Sequence, residues 1–274
     1  MLALIAGQGG LPGAVFSSCR QTPIVCALEH MPPDSLSADM TFRLETLGTL
    51  VSRLVERGVD RVCMCGTIRR PAIDPAAIDT ATAPLVPRIA AALELGDDGA
   101  LRAIIEIFEE AGITVIGAHE AAPRLLPPAG VLTRVRPGHG DERAAKIGDL
   151  VSREQGQCDL GQSCVVDACS VRAREDDAGT DAMLDSLEAG DGAILYKAEK
   201  PGQDRRADLP VVGPLTVDMV VDKGLAGIVL SHEGVMVLDL DRVVARLDAA
   251  GRFLWIRNRD ARTQAVRCVG LSSG

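Results

Sequence analysis

The sequence predicts an α/β protein of two domains: a Rossmann-like parallel α/β domain first, then a C-terminal α/β domain. Three observations predict it. Short apolar runs of strand length alternate with stretches of helical spacing, the pattern of a parallel sheet with helices on its faces. A glycine-rich turn, Gly7-Gln8-Gly9-Gly10, follows the first apolar run and opens a helix, as in a β-α-β unit. Between Pro123 and Gly140 the composition shifts to Pro, Gly and charge, which favours neither helix nor strand. The domains are therefore expected at 1–128 and 142–274, with a linker at 129–141.

Taken in order, Leu2–Ala6 reads as a buried strand, Gly13–Cys19 as a helix with Pro12 at its start, and Pro23–Leu28 as a second strand. The turn meets the dinucleotide fingerprint only in part, because Pro12 stands near the third glycine's place. Phe42–Glu56 has helical spacing, with Leu44, Leu47, Val51, Leu54 and Val55 on one face, and Gly58 ends it. Val59–Cys65 is the next strand, and Arg69 and Arg70 follow at its C-terminal end, where open α/β sheets bind ligands. Gly96–Gly99 caps a helix over 100–110, and Ile113–Gly117 is a further strand.

In the second half, Asp141 caps a helix over Glu142–Ser152 and Ser163–Ala173 reads as a hairpin. An acidic turn, Glu175 to Asp181, precedes a short helix. A strand at Ala193–Tyr196 leads into the most charged stretch, Lys197 to Pro214, which reads as a polar loop before a helix beginning near Thr216. Gly224–Leu230 and Gly234–Asp239 are strands, a helix spans about 241–250, and Phe253–Ile256 closes the domain; the residues after Arg257 are polar.

Composition excludes several functions. The formal charge is −9, and one Trp, one Tyr and four Phe leave no stacking platform, so no nucleic-acid partner is expected. The eight cysteines form no C-x-x-C pair and mostly have apolar neighbours, as small hydrophobes in a reducing compartment do. Nothing resembles a signal peptide, and no run of about 18 apolar residues is present, so a cytoplasmic protein is expected.

The block Lys197 to Pro214 carries the chemistry. Lys197, Lys200 and Arg206 are cations suited to phosphate oxygens, and Asp204 and Asp208 are hard oxygen donors for a metal or for orienting water. As a bare pattern, a solvated charged loop explains it equally well.

The whole chain nevertheless resembles the LpxI-type UDP-2,3-diacylglucosamine pyrophosphatases of Gram-negative lipid A synthesis. The residues that carry the resemblance run from Leu4-Ile-Ala-Gly-x-Gly-x-Leu-Pro12 through Gly66-x-x-x-Arg70-Pro71, Gly96-Asp97-Asp98, Asp159-x-Gly-Gln162 and Gly179-Thr-Asp-Ala-Met183. They continue through Lys197 to Pro214 and on to Gly224-Leu-Ala-Gly227.

The resemblance implies an Mg²⁺-dependent hydrolase, its two domains closing over a cleft, that splits the diphosphate of UDP-2,3-diacylglucosamine into UMP and 2,3-diacylglucosamine 1-phosphate. It implies catalytic roles for Asp208, Lys197 and Arg206, and metal ligation by Asp208, Asp204 and Asp181. Gly7, Gly9, Gly10, Arg70, Gln162, Thr180, Lys200 and Gln203 would contact substrate. The partners implied are the lipid nucleotide and the inner-membrane surface, touched peripherally; a homo-oligomer stays open. One position departs from the family pattern: Ala178 stands where a glutamate is expected, so Asp177 or Glu175 would have to substitute for it. Two other functions compete, a Rossmann-type oxidoreductase and a non-catalytic UDP-sugar or lipid-binding module.

Overall fold

The computed structural model describes residues 1–69, 72–93, 96–158 and 160–259. Arg70, Pro71 and Asp159 lie outside the described residues, as does the polar tail from 260 onward.

The first half runs β1 (Leu2–Ala6), α1 (Leu11–Ser18), β2 (Ile24–Leu28), β3 (Met40–Phe42), α2 (Leu47–Glu56), β4 (Arg61–Cys65), α3 (Val86–Leu93), α4 (Gly96–Glu110), β5 (Thr114–Ile116) and α5 (Ala118–Ala121). Strand and helix mostly alternate, but β3 follows β2 directly and takes Phe42, which the spacing assigned to a helix, and α3 precedes α4. The five strands form one parallel sheet in the order β3-β2-β1-β4-β5. That is the first five positions of the Rossmann order, with the reversal between β1 and β4. Ala3, Ile5, Cys26 and Val62 pack with Leu50, Leu54, Ile105 and Phe108 of α2 and α4. Leu4, Val15 and Cys63 belong to a second cluster on this unit. Both clusters come from strands buried along nearly their whole length, as parallel strands covered on two faces are.

The second half contains β6 (Gly130–Val131), α6 (His139–Gln157), β7 (Ser163–Val166), β8 (Val171–Arg174), α7 (Gly179–Asp185), β9 (Ile194–Lys197), β10 (Val211–Val212), α8 (Pro214–Asp222), β11 (Gly227–Ser231), β12 (Met236–Val237), α9 (Leu240–Ala249) and β13 (Phe253–Arg257). Six of these strands make a mixed sheet, ordered β6-β13-β11-β9-β7-β8. Its centre, β13-β11-β9, is parallel, and β6, β7 and β8 join antiparallel. The remaining pair, β10 with β12, forms a separate ribbon.

Four expectations need correction. The stretch 129–141 is not structureless: Gly130 and Val131 pair with Ile256 and Trp255, and α6 already begins at His139. Lys197 is not in a loop. Its backbone is paired on both sides, with Leu230 of β11 and Ser163 of β7, and this carries β9 one residue past Tyr196. The strand expected over Gly234–Asp239 is only Met236–Val237.

The fourth correction concerns the charged block, placed whole in the C-terminal domain by the sequence. One compact unit comprises Met1–Leu126, Gly202–Val211 and Met236–Leu238, and the other Pro127–Pro201, Val212–Val235 and Asp239 onward. The block therefore divides at Pro201/Gly202. Leu209 explains why: it is buried with Leu4, Val15, Cys63 and Met236, in the first unit's core.

Candidate functional site

In the first unit the glycine turn lies at the C-terminal end of β1, beside β4, where the strand order reverses. Gly7 N–H donates to Cys65 O, and Gln8 and Thr67 exchange two backbone bonds of 2.9 Å. A Cβ on Gly7 would stand 2.4 Å from Thr67 O, so that glycine is required by backbone packing alone. Gly9 differs. It has φ +93° and open space around its Cα, and its N–H donates to Asp34 Oδ2 at 2.7 Å. A carboxylate thus stands on the N–H that a phosphate would use in a nucleotide-binding turn. Gly10 sits at the N-terminus of α1, close to Leu238.

The segment 202–211 arrives at the C-terminal end of β5, where a Cβ on Gly117 would lie 3.1 Å from Arg205 O. Asp204 is its hub. Its carbonyl accepts from Ala207 N–H and Asp208 N–H at 3.0 and 3.2 Å. Its carboxylate accepts from Arg206 Nε and Nη2 at 3.0 and 2.7 Å, and the Arg206 side chain holds this carboxyl below its ordinary range. Arg206 Nη1 reaches Glu109 Oε1 of α4 at 2.6 Å. Asp208 is exposed, and one of its oxygens accepts from Gln203 Nε2 at 2.8 Å. His119 stands nearby at the start of α5. Its Nδ1 is buried without a hydrogen-bond partner, and burial followed by the Arg205 charge lowers its pKa.

In the second unit Lys197 closes β9 and is only 7% exposed. Its Nζ donates to Thr180 Oγ1 at 2.8 Å. Thr180 in turn donates to Glu175 Oε2 at 2.9 Å, and Ser163 Oγ lies 3.0 Å from the same hydroxyl. An ammonium only donates and a hydroxyl has one proton, so Thr180 accepts from Lys197 and from Ser163 and passes its own proton to Glu175. The carboxylate is thereby linked to the buried cation through one oxygen atom. Of the two acids expected to offset Ala178, Glu175 is the one that reaches Thr180.

The next residues are tied down as well. Glu199 accepts from Ser231 Oγ and pairs with Arg259 at 3.7 Å. Tyr196 OH donates to Asp149 Oδ1 at 2.5 Å, and Arg257 Nη1 meets Asp149 Oδ2 at 2.6 Å. Burial raises the Tyr196 pKa. Gln162 accepts Ala198 N–H through its carbonyl, beside the strand end. Lys200 is half-buried at the unit boundary.

Of the expected site residues, the structure joins Lys197 to Thr180, Asp204 to Arg206, and Gln203 to Asp208. Asp181 lies exposed in the first turn of α7, in the second unit, whereas Asp204 and Asp208 belong to the first. Among the described residues no group of three His, Cys, Asp or Glu side chains is disposed to hold a metal. Sequence reasoning missed Glu109, Ser163, Asp149, Glu199 and Arg259. Except for Glu199, which lies within the charged block, none of them belongs to a motif; they matter through partners distant in the chain.

A Rossmann-ordered sheet followed by a mixed sheet, with one charged segment divided between the units, defines a two-domain α/β protein whose polar groups collect around a single stretch of chain. Both halves match known domains: residues 1–125 the LpxI N-terminal domain, and residues 128–255 the LpxI C-terminal domain. UDP-2,3-diacylglucosamine pyrophosphatase LpxI of Caulobacter vibrioides is 35% identical over 272 residues, covering 92% of this chain and 96% of that one. The chain belongs to the LpxI family of enzymes.

Proposed function

We propose that this protein hydrolyses the diphosphate of UDP-2,3-diacylglucosamine, releasing UMP and 2,3-diacylglucosamine 1-phosphate in lipid A synthesis. One observation carries the reading: the likeness to a relative named as that pyrophosphatase runs through 92% of the chain, and the match to the LpxI C-terminal domain over 128–255 spans the whole charged block.

The chemistry is transfer of a phosphoryl group to water, and the obstacle is the charge of the diphosphate. Lys197 and Lys200 offset that charge. The Thr180–Glu175 link orients the Lys197 ammonium and compensates part of its burial. Asp208 is the carboxylate suited to the reacting centre, because it is exposed and one of its oxygens accepts from the neutral amide of Gln203. Asp204 is unsuited to ligate a metal, since both of its oxygens are engaged by Arg206. Mg²⁺, when bound, would supply positive charge at the diphosphate oxygens, and Asp208 would be a carboxylate ligand to it. A cation held by one or two carboxylates and the substrate's own phosphates is ordinary for Mg²⁺. It does not require a three-carboxylate cage.

The glycine turn takes the uridine end in this reading. With Asp34 on Gly9 N–H, the turn suits ribose hydroxyls, which donate to a carboxylate, better than it suits phosphate. Among the described residues no helix is long and apolar enough to cross a membrane. We place the enzyme at the cytoplasmic face of the inner membrane, where its lipid substrate lies.

The test is UMP release from UDP-2,3-diacylglucosamine with and without Mg²⁺, for the wild type and Asp208→Ala. Turnover by the wild type and a loss of at least a hundredfold in a folded Asp208→Ala protein are expected. Binding of the lipid nucleotide without UMP release would make the chain a binding module instead.

A further inference from the structure

We propose that Glu109 and Arg206 form a clamp that fixes the Asp208 loop to helix α4, making Glu109 a positioning residue for the hydrolysis. Its kinetic consequence rests on the function proposed above; its structural consequence does not.

The geometry begins at α4. Phe108 is 1% exposed in the first unit's core, so the last turn of this helix is rigidly seated and Glu109, its neighbour, projects from a fixed base. Glu109 Oε1 takes Arg206 Nη1 at 2.6 Å, and the other edge of the same guanidinium grips Asp204 through Nε and Nη2. Asp204 then holds the backbone of Ala207 and Asp208 through its carbonyl oxygen. A continuous path of short polar contacts therefore runs from Glu109 through Arg206 and Asp204 to Asp208. Two further contacts hold the segment at its ends: Arg102 Nη2 lies 3.4 Å from Gly202 O, and Leu209 is buried in the core.

The alternative role for Arg206 is to clamp a phosphate, and the charge balance opposes it. One guanidinium stands against two carboxylates, and even with Arg102 also acting on Asp204 the cluster offers a diphosphate no net positive charge. Three of the guanidinium's N–H directions are already committed to carboxylates, each bond being charge-assisted and correspondingly hard to exchange. An arginine held this way sets geometry; the lysines of the block carry the charge that meets substrate.

The two roles predict different results in a double-mutant cycle. Full-length wild type, Glu109→Ala, Glu109→Gln, Arg206→Ala and the Glu109→Ala/Arg206→Ala double variant are compared for UMP release in Mg²⁺. They are also compared for the rate at which trypsin cuts the native protein after the exposed Arg205. Under the clamp, Glu109→Ala lowers kcat by roughly tenfold with KM within twofold, in line with loss of one charge-assisted bond. Glu109→Gln, which keeps an acceptor, falls between wild type and Glu109→Ala. The double variant is no worse than Arg206→Ala alone, and cleavage after Arg205 accelerates by similar factors in both single alanine variants. Reversing the pair, Glu109→Arg with Arg206→Glu, restores part of the protection against trypsin. The clamp is overturned if Glu109→Ala keeps wild-type kcat and trypsin resistance while Arg206→Ala raises KM tenfold, or if the two losses simply multiply. Absence of UMP release by the wild type would refute the proposed function instead, and the proteolysis rates would still decide the clamp.

Discussion

Thr180→Val tests the reading of the buried lysine most directly. Valine matches threonine in shape but lacks the oxygen at the centre of the network. The substitution removes the acceptor of Lys197 Nζ at 2.8 Å, the donor to Glu175 Oε2 at 2.9 Å and the partner of Ser163 Oγ at 3.0 Å. Two of these bonds involve a charged group, each worth about 1.5–3 kcal/mol. They share one atom, and Lys197 has further interactions of its own, so they do not sum. A net loss of about 3 kcal/mol is expected, most of it the cost of leaving an ammonium in a nearly dry site. For a domain of this size that lowers the midpoint of thermal unfolding by roughly 10 °C. Calorimetry of Thr180→Val beside Thr180→Ser measures it. The serine variant keeps the oxygen and should melt within a few degrees of wild type. The reasoning fails if valine melts where wild type does, or if serine is as damaging as valine.

Other perturbations follow from the same coordinates. Glu45 is buried, and the Arg43 hydrogen bond, then Asp74 N–H, push its pKa down to about 2. A depressed carboxylate stabilises the fold above its unfolded value and loses that contribution as pH falls, here between about 4.5 and about 2; Glu45→Gln should flatten the acid arm of a stability–pH curve in that window, and an unchanged arm would count against the pairing. Gly7→Ala should destabilise the first unit by several kcal/mol, because its Cβ meets backbone at Thr67 rather than a side chain able to move; a melting point within 2 °C of wild type would refute it. A fragment of residues 1–126 alone should bind hydrophobic dyes and melt without cooperativity, since Leu209 and Met236 are missing from its core; a sharp wild-type-like transition would show that those residues are dispensable.

Most elements of the first unit were legible because strand and helix periods differ; β3, only three residues long, and α3 were not. Leu4, Cys63 and Val115 lie in strands buried on two faces, and Leu47, Leu50 and Leu54 mark one helical face. Lys197 was read as loop because charge normally marks solvent. Nothing local reveals that β7 and β11 pair on both sides of it, or that Thr180 meets its ammonium. The attachment of 202–211 to the first unit failed for a related reason. Leu209 comes straight after a run of charges, and its burial depends on a cluster built mostly from residues of the first 126 positions. The block announced its chemistry through its residue types, but not which of its charges are already consumed. Arg206 and Lys197 look equivalent in sequence; Arg206 faces two carboxylates at the surface, while Lys197 is buried and donates to the Thr180 hydroxyl.

That distinction bears on how the family's two sequence domains relate to its two compact units. The domains meet near residue 126, yet the chain returns to the first unit for 202–211 and again for 236–238. Each return contributes to the core: Leu209 and Val211 on the first, Met236 and Leu238 on the second, joined where Met236 N–H donates to Pro210 O at 2.8 Å. A loop merely lying on a surface would not bury a leucine to 5% exposure. The segment carrying Asp208 is therefore anchored in the first unit's core, while Lys197 is anchored in β9 of the other unit. Between Lys200 and Gln203 stand Pro201 and Gly202. A proline limits one torsion and a glycine, here at φ +76°, takes up a left-handed one, which is the local chemistry of a defined turn.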